Sequence, residues 1–343
     1  MRVLITRDIP QAGIDLLRQH PELEIDHRKG SPLTEAELKK AIKGVDGIIP
    51  VIPDQITKNI LEAAGPELKI VAHYAVGYDN IDVESATKLG IYVSNTPGDL
   101  TEAVAEHALA LMMAVGRKIV ASDSYTREGD YHFWDPMIFL GPKFKGKTLG
   151  IVGFGRIGQH FARMCNKGLG MKVLYVDTKK CVDAENETGA TKVELDELLN
   201  NSDIVSLHVN LTEKTRHMIG EQQLKKMQPD AILINTARGP IINEEALAVA
   251  LKERWIEGAG LDVFEKEPTV HEDLIKLENV VLTPHIGSAT REARIQMSRM
   301  AALNIVEVLI NKKPPVNLVN TELSGEKPET EPRLFRDKIS SLI

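Results

Sequence analysis

Thr148-Leu-Gly-Ile-Val-Gly-Phe-Gly-Arg-Ile-Gly-Gln-His160 decides the fold. A mostly apolar, strand-like run leads without interruption into Gly153-x-Gly155-x-x-Gly158 and then into a helical pattern. Each glycine has a reason. The first permits a tight strand-to-helix turn, the second lets a pyrophosphate approach bare backbone, and the third lets the helix pack close to the strand. The start of that helix offers free N–H groups and a positive dipole end to phosphates. A glycine triplet alone also fits an ordinary turn. Here a second strand follows at 173–176 and ends in Asp177, 19 residues after Gly158. An acidic side chain at about that distance meets ribose hydroxyls in dinucleotide-binding units.

Working outward, strands are predicted at 148–152, 173–176, 204–207, 231–234, 258–261 and 280–282, with helices at 157–169, 193–199, 221–227 and 244–252. Six strands with short connections match a doubly wound dinucleotide domain. Upstream, residues 1–99 alternate shorter strand and helix patterns, as in a small α/β unit with a parallel sheet. Asn95-Thr-Pro-Gly98 reads as a crossover between domains. Residues 101–126 read as one long helix, apolar on most faces and therefore buried on most faces, against its own domains or against a partner subunit. A last helix, 291–310, is long enough to return the chain to the first domain. The expected fold class is α/β, with two doubly wound parallel-sheet domains. A smaller, flavodoxin-like substrate domain takes residues 1–99 and 291–320. A Rossmann dinucleotide-binding domain takes 100–290, and 321–343 form a mobile tail.

Composition narrows the function. The 343 residues are 43% hydrophobic and 27% charged, as in ordinary soluble globular chains. A net charge of −7 argues against nucleic-acid or anionic-membrane partners, while a local arginine can still receive an anionic substrate. Cys165 and Cys181 show no metal-ligand spacing, and no metal is expected. No apolar run reaches about 18 residues, and the first residues lack a signal-peptide core, so the cytoplasm is the expected location.

Three segments place functional groups just past predicted strands, where open α/β sheets bind ligands. In Asn235-Thr-Ala-Arg238-Gly239, an arginine beside a flexible glycine can pair two-pronged with a carboxylate; the alternative is a surface ion pair. In Gly260-Leu-Asp262-Val-Phe-Glu265-Lys-Glu267-Pro268 the acids also read as solvated loop charges, and for Glu265 that is the preferred reading. In Thr283-Pro-His285-Ile-Gly-Ser288 a histidine is confined behind a proline; its alternative is a structural histidine. His107 and His208 read as structural. Arg238, Glu267 and His285 must be joined by the fold.

These motifs, in this order and spacing, resemble the D-isomer-specific 2-hydroxyacid dehydrogenases over residues 1–320. Within them, Ala75-Val-Gly-Tyr-Asp-Asn-Ile-Asp82 and Pro315-Val-Asn-Leu-Val-Asn320 point to the glyoxylate/hydroxypyruvate reductases. The resemblance implies a carboxylate-binding Arg238, an acid/base His285 and its partner Glu267. It implies substrate contacts from the Val76 and Gly77 N–H groups, with Ile52, Tyr74 and Trp134 shaping a small pocket. It implies that Asp262 meets the nicotinamide carboxamide. Thr101, Gly153, Gly155, Arg156, Ile157, Gly158, Asp177, Val209, Thr236, Ala237, Gly287 and Ser288 would line the cofactor.

The expected reaction is NAD(P)H-dependent reduction of glyoxylate or hydroxypyruvate, with His285 donating the proton and Glu267 favouring its charged form. Asp177 favours NAD(H) and repels a 2′-phosphate; Lys179 and Lys180 offset part of that, so NADP(H) is disfavoured but admitted. A homodimer is expected, with Trp134 either reaching a neighbouring subunit's pocket or lying in the dimer core. Formate dehydrogenases fit less well, since they pair the histidine with a glutamine where Glu267 stands. A short-form D-3-phosphoglycerate dehydrogenase, another D-2-hydroxyacid dehydrogenase, and an NAD-sensing corepressor or scaffold are the competing readings.

Overall fold

The computed structural model describes residues 1–98 and 100–324. Two compact units emerge: Met1–Leu100 together with the chain from Thr290 onward, and Thr101–Ala289.

The first unit holds β1 (Arg2–Ile5), β2 (Glu24–His27), β3 (Gly47–Ile49), β4 (Ile70–Ala72) and β5 (Tyr92–Ser94). They form one parallel sheet in the order β2-β1-β3-β4-β5, with Val3 beside both Ile25 and Gly47. That order is flavodoxin-like. Val3, Leu4, Ile5, Ile48, Ile49, Ile70 and Val71 are all fully buried. Such unbroken apolar runs are what a parallel sheet covered on both faces requires. A capping box between Thr34 and Glu37 starts the helix Glu35–Ala41. The helix Gln11–Arg18 packs on Arg291–Leu309, where Ser298 Oγ donates to the Pro10 carbonyl at 2.6 Å and accepts the Gly13 N–H at 3.0 Å.

The second unit holds β6 (Thr148–Val152), β7 (Lys172–Val176), β8 (Thr191–Lys192), β9 (Ile204–Leu207), β10 (Ile232–Asn235), β11 (Gly258–Leu261) and β12 (Val280–Leu282). Their order is β12-β11-β10-β9-β6-β7-β8, again parallel throughout. The sequence order reverses between β6 and β9, which is where doubly wound sheets open a crevice for dinucleotides. Strand β8 is one more than the sequence predicts. It is a polar two-residue edge that exists through pairing with Leu174 and Tyr175, and it carries no apolar run of its own.

The helix expected over 101–126 is two helices, Leu100–Gly116 and Ile119–Arg127. Lys118 adopts a left-handed φ of 54°, and its ammonium pairs with Glu257. The first helix ends at Gly116, a poor helix former. The second has no residue buried by its own chain. The helix predicted at 157–169 ends at Arg163 and continues as one π turn, Met164–Gly168. Of the expected tail, Thr321–Ser324 form a 3₁₀ turn, and 325–343 lie outside the described residues. Among the described residues no helix is long and apolar enough to cross a membrane.

Candidate active site

The glycine turn after β6 divides its work as the motif requires. Gly153 has φ +93°, and a Cβ there would lie 2.6 Å from the His208 carbonyl oxygen. A Cβ on Gly158 would lie 2.3 Å from the Gly153 carbonyl oxygen, so the helix packs directly on the turn. A Cβ on Gly155 would meet nothing within 4 Å, which leaves that side open. The helix Arg156–Arg163 begins with no side-chain cap on its N–H groups. At the end of β7, Asp177 accepts the Phe154 N–H at 2.7 Å through one oxygen and the Lys179 N–H at 3.1 Å through the other. The carboxylate therefore sits against the glycine turn. The Thr236 hydroxyl is buried and has no partner among the described residues. A buried polar atom without a partner is rare in a finished site and marks a place for a ligand or water. An open backbone turn, a helix start, a carboxylate at the next strand end and a waiting hydroxyl fit a nicotinamide dinucleotide. Thr101, Ile157, Val209, Ala237 and Ser288 are half-buried, and Arg156 is exposed.

Asp262, at the end of β11, is 1% exposed. It accepts hydrogen bonds from Thr283 Oγ1 (2.7 Å), the Ile286 N–H (2.8 Å) and the Gly287 N–H (2.7 Å), and His107 Nε2 lies 3.2 Å away. Burial pushes its carboxyl up, but the bonds from His107, Thr283 and Ile286 prevail and hold it below the usual carboxylate range. His107 also meets Thr283 Oγ1 at 3.0 Å. It is a satisfied histidine, as expected, yet it stands directly behind Asp262. No local pattern could show this, because the partners lie 155 and 176 residues away.

Two of the three expected catalytic side chains touch. His285 Nδ1 lies 2.8 Å from Glu267 Oε2, and Glu267 Oε1 accepts the Phe264 N–H at 3.0 Å. With Nδ1 engaged, Nε2 is the nitrogen that can exchange a proton with a ligand. His285 has φ +55°, a strained choice for a side-chain-bearing residue. The Asp262 carbonyl accepts its N–H at 2.8 Å and helps hold that conformation. Arg238 follows β10 and donates from Nη1 to the Ala237 carbonyl at 2.8 Å. The next residue brings its loop against the one that carries Glu267. A Cβ on Gly239 would lie 1.9 Å from the Phe264 carbonyl carbon and 2.4 Å from the Glu265 nitrogen. Only glycine allows the Arg238 loop to abut the loop that carries Glu267.

Glu265 corrects its expected reading. It is no solvated loop charge: its carboxylate meets His217 Nε2 at 2.6 Å and accepts the Glu244 N–H at 3.1 Å. The loop after β11 folds back on the start of the helix Glu244–Lys252, which supplies that N–H. His208 fits its structural reading. Ser206 Oγ lies 2.9 Å from its Nε2, and burial pushes the imidazole down to about 4, so it is neutral near pH 7.

In the first unit, Ile52 follows β3, and Val76 and Gly77 follow β4. All three are half-buried, and neither the Val76 nor the Gly77 N–H meets an acceptor among the described residues. Tyr74 is buried and donates its hydroxyl to the Arg294 carbonyl at 2.9 Å, a bond within its own unit. No cluster of three or more metal-ligating side chains occurs among the described residues.

Comparison with known proteins decides the family. The model for the D-isomer specific 2-hydroxyacid dehydrogenase NAD-binding domain matches residues 109–287, more than half of the chain. The chain belongs to the D-isomer-specific 2-hydroxyacid dehydrogenases. A glyoxylate reductase of Thermococcus litoralis is 51% identical over 331 residues, covering 95% of this chain and 99% of the relative. The TT0316 protein of Thermus thermophilus superposes with a TM-score of 0.87 at 41% identity, covering 93% of this chain and all of that one. An acyclic imino acid reductase solved with NADPH and D-Arg gives a TM-score of 0.80 at 34% identity, covering 93% of this chain and all of that one. The protein is thus a nicotinamide-dinucleotide-dependent dehydrogenase acting between 2-oxo and 2-hydroxy acids.

Proposed function

We propose that the protein reduces glyoxylate to glycolate and, as a second substrate, hydroxypyruvate to D-glycerate, with Arg238, Glu267 and His285 as the acting side chains. The His285–Glu267 bond of 2.8 Å carries this reading. A bound reduced nicotinamide supplies the hydride to the carbonyl carbon. As that carbon is reduced, the carbonyl oxygen gains negative charge, and His285 Nε2 delivers a proton to it. Glu267 holds Nδ1, which fixes the ring and leaves Nε2 to exchange the proton. Arg238 binds the substrate carboxylate and helps to polarise the carbonyl. The N–H groups of Val76 and Gly77, which meet no acceptor among the described residues, suit an anionic group at their own unit, where Ile52 also lies. The name of the Thermococcus litoralis relative supports glyoxylate.

Asp177 supports a preference for NAD(H). Its carboxylate faces the region of the ribose and would repel a 2′-phosphate. Lys180, a candidate to offset that charge, is drawn to Glu185 at 3.4 Å. A second copy of the chain is the proposed partner. Tyr131, Phe133, Trp134, Met137 and Leu140 are between 58% and 75% exposed and lie within ten residues. An apolar patch of this kind marks an interaction surface, and a two-fold contact between copies would cover it on both.

Absorbance of the reduced cofactor, followed with glyoxylate, hydroxypyruvate, pyruvate, phosphohydroxypyruvate and formate, tests the substrate. The expected order of kcat/KM places glyoxylate first and hydroxypyruvate second. A preference for phosphohydroxypyruvate would transfer the assignment to a phosphoglycerate dehydrogenase.

A further inference from the structure

Glu244 is a buried carboxylate, 6% exposed, at the first position of the helix Glu244–Lys252. A buried charge is costly unless hydrogen bonds compensate it. Helix capping does not explain it. Asn243 already caps the helix through a bond to the Ala246 N–H, and the exposed Glu245 supplies an acid to the same first turn. What Glu244 does is grip the loop after β11. Its Oε1 accepts the Glu265 N–H at 2.6 Å, and Glu265 Oε2 accepts the Glu244 N–H at 3.1 Å. Each residue thus receives the other's backbone. The other Glu265 oxygen meets His217 Nε2 at 2.6 Å, and the His217 N–H donates to the Pro240 carbonyl at 2.8 Å.

The grip closes at the site itself. Gly239 presses on Phe264 and Glu265, and the Phe264 N–H is held by Glu267. Two successive N–H groups of one loop are therefore tied, one to Glu244 and the next to nothing but the Glu267 that holds His285. We propose that Glu244 and Glu265, backed by His217, are positioning residues that keep the Arg238 loop and the Glu267–His285 pair in register. This rests on the roles proposed above for Arg238, Glu267 and His285. The charged and titratable groups facing Glu244 are Glu265, Glu267 and His271, while Glu265 also faces His217. Burial raises the Glu244 carboxyl above its usual range, with the charges of Glu265 and Glu267 adding to the rise and the Glu265 N–H and His271 opposing it; an amide in its place keeps an oxygen for the Glu265 N–H.

Glu244→Ala and Glu244→Gln in the full chain test the device. The alanine variant leaves the Glu265 N–H without an acceptor. A misplacement approaching 1 Å costs on the order of 100-fold in rate, and a partial slip should lower kcat by about tenfold. KM for glyoxylate should change less than kcat. The pH profile of kcat should change, because Glu267 would no longer be held in place against His285 Nδ1. Hydrogen exchange of the Glu265 amide should accelerate. Glu244→Gln keeps an acceptor oxygen and should restore all three. Wild-type kcat, pH profile and exchange in Glu244→Ala, or equal damage in both variants, would overturn the proposal. If Glu244→Ala does not fold, His217→Ala takes its place, since that side chain is 40% exposed; it should shift the profile the same way, and an unmoved profile would overturn the proposal. Glu267→Gln separates the two layers: a pH profile unmoved in that variant would remove the catalytic reading itself, whatever Glu244 does.

Discussion

In the second unit the loops after β10, β11 and β12 carry Arg238, Asp262 with Glu267, and His285; in the first, the loops after β3 and β4 carry Ile52 and the bare Val76-Gly77 backbone. Both sheets are parallel and doubly wound, and both present these loops at the same, C-terminal edge of their strands. The two edges differ in which groups their loops carry and in what those loops leave open. Around His285 and Glu267, side-chain bonds tie loop to loop: Asp262 to Thr283 and Gly287, Glu265 to Glu244, Glu267 to His285. In the first unit Thr6 bonds Asp54, His73 Nδ1 lies 3.2 Å from the Pro50 carbonyl and Asn95 Nδ2 braces the Val76 carbonyl at 2.8 Å, while the Val76 and Gly77 N–H groups meet no acceptor among the described residues. A shared architecture thus leaves chemistry to the loops.

His285→Ala breaks that contrast most directly. It should lower kcat by about 10²- to 10⁴-fold, the usual worth of a positioned general acid, with KM little changed. Steady-state kinetics at saturating cofactor measure both. A kcat within a few-fold of wild type would return His285 to a structural role. Arg238→Ala should act on binding instead, raising KM for the 2-oxo acid by a loss of roughly 2–5 kcal/mol, because the substrate carboxylate is left without its partner. An unchanged KM would move the binding function wholly to the other edge.

How much of this edge could be read beforehand depended on distance along the chain. Gly153, Gly155, Gly158 and Asp177 fall within 25 residues, and turn, approach, packing and carboxylate are local properties that a sequence displays. Arg238, Glu267 and His285 could be nominated because each sits beside a glycine or proline just past a strand. The contact of His285 with Glu267 could not, nor the approach of Gly239 to Phe264, since both are tertiary. Glu265 was misread for the same cause: its partners are 21 and 48 residues away. Strand β8 escaped because two polar residues carry no periodicity. The break at Lys118 escaped because apolar residues continue past it, while the ion pair to Glu257 that accompanies its left-handed turn lies 139 residues downstream.

Asp177 sharpens the comparison within the second unit, between groups that react and groups that select. Asp177→Ala should raise kcat/KM with NADPH relative to NADH by about tenfold, while leaving the order of 2-oxo acids untouched. Repulsion of about 4 kcal/mol per unit charge at 4 Å and an effective dielectric of 20 sets the ceiling, and exposure to water reduces it. The ratio of kcat/KM for the two cofactors measures this. A ratio that stays fixed would place cofactor choice elsewhere on the β7 edge.

The smallest expected effect concerns His208, whose carbonyl packs against the glycine turn while its ring stays out of the reaction. Its imidazole is pushed down to about 4 in the folded protein, against about 6.5 in an unfolded chain. Between those values the unfolded chain binds a proton that the folded one refuses, so stability falls as pH falls through that window and is fully present above it. The slope is at most about 1.4 kcal/mol per pH unit, and partial exposure of the residue makes this a ceiling. From pH 6.5 to 5.5 the loss should be about 1 kcal/mol. Denaturant unfolding of wild type and His208→Gln at several pH values isolates the term, because every other titrating group is common to both. The glutamine variant should lose less stability on acidification. Parallel curves would mean that the imidazole takes up its proton without leaving its place beside Ser206, and the second unit's phosphate turn would then be no more acid-sensitive than the first unit's loops.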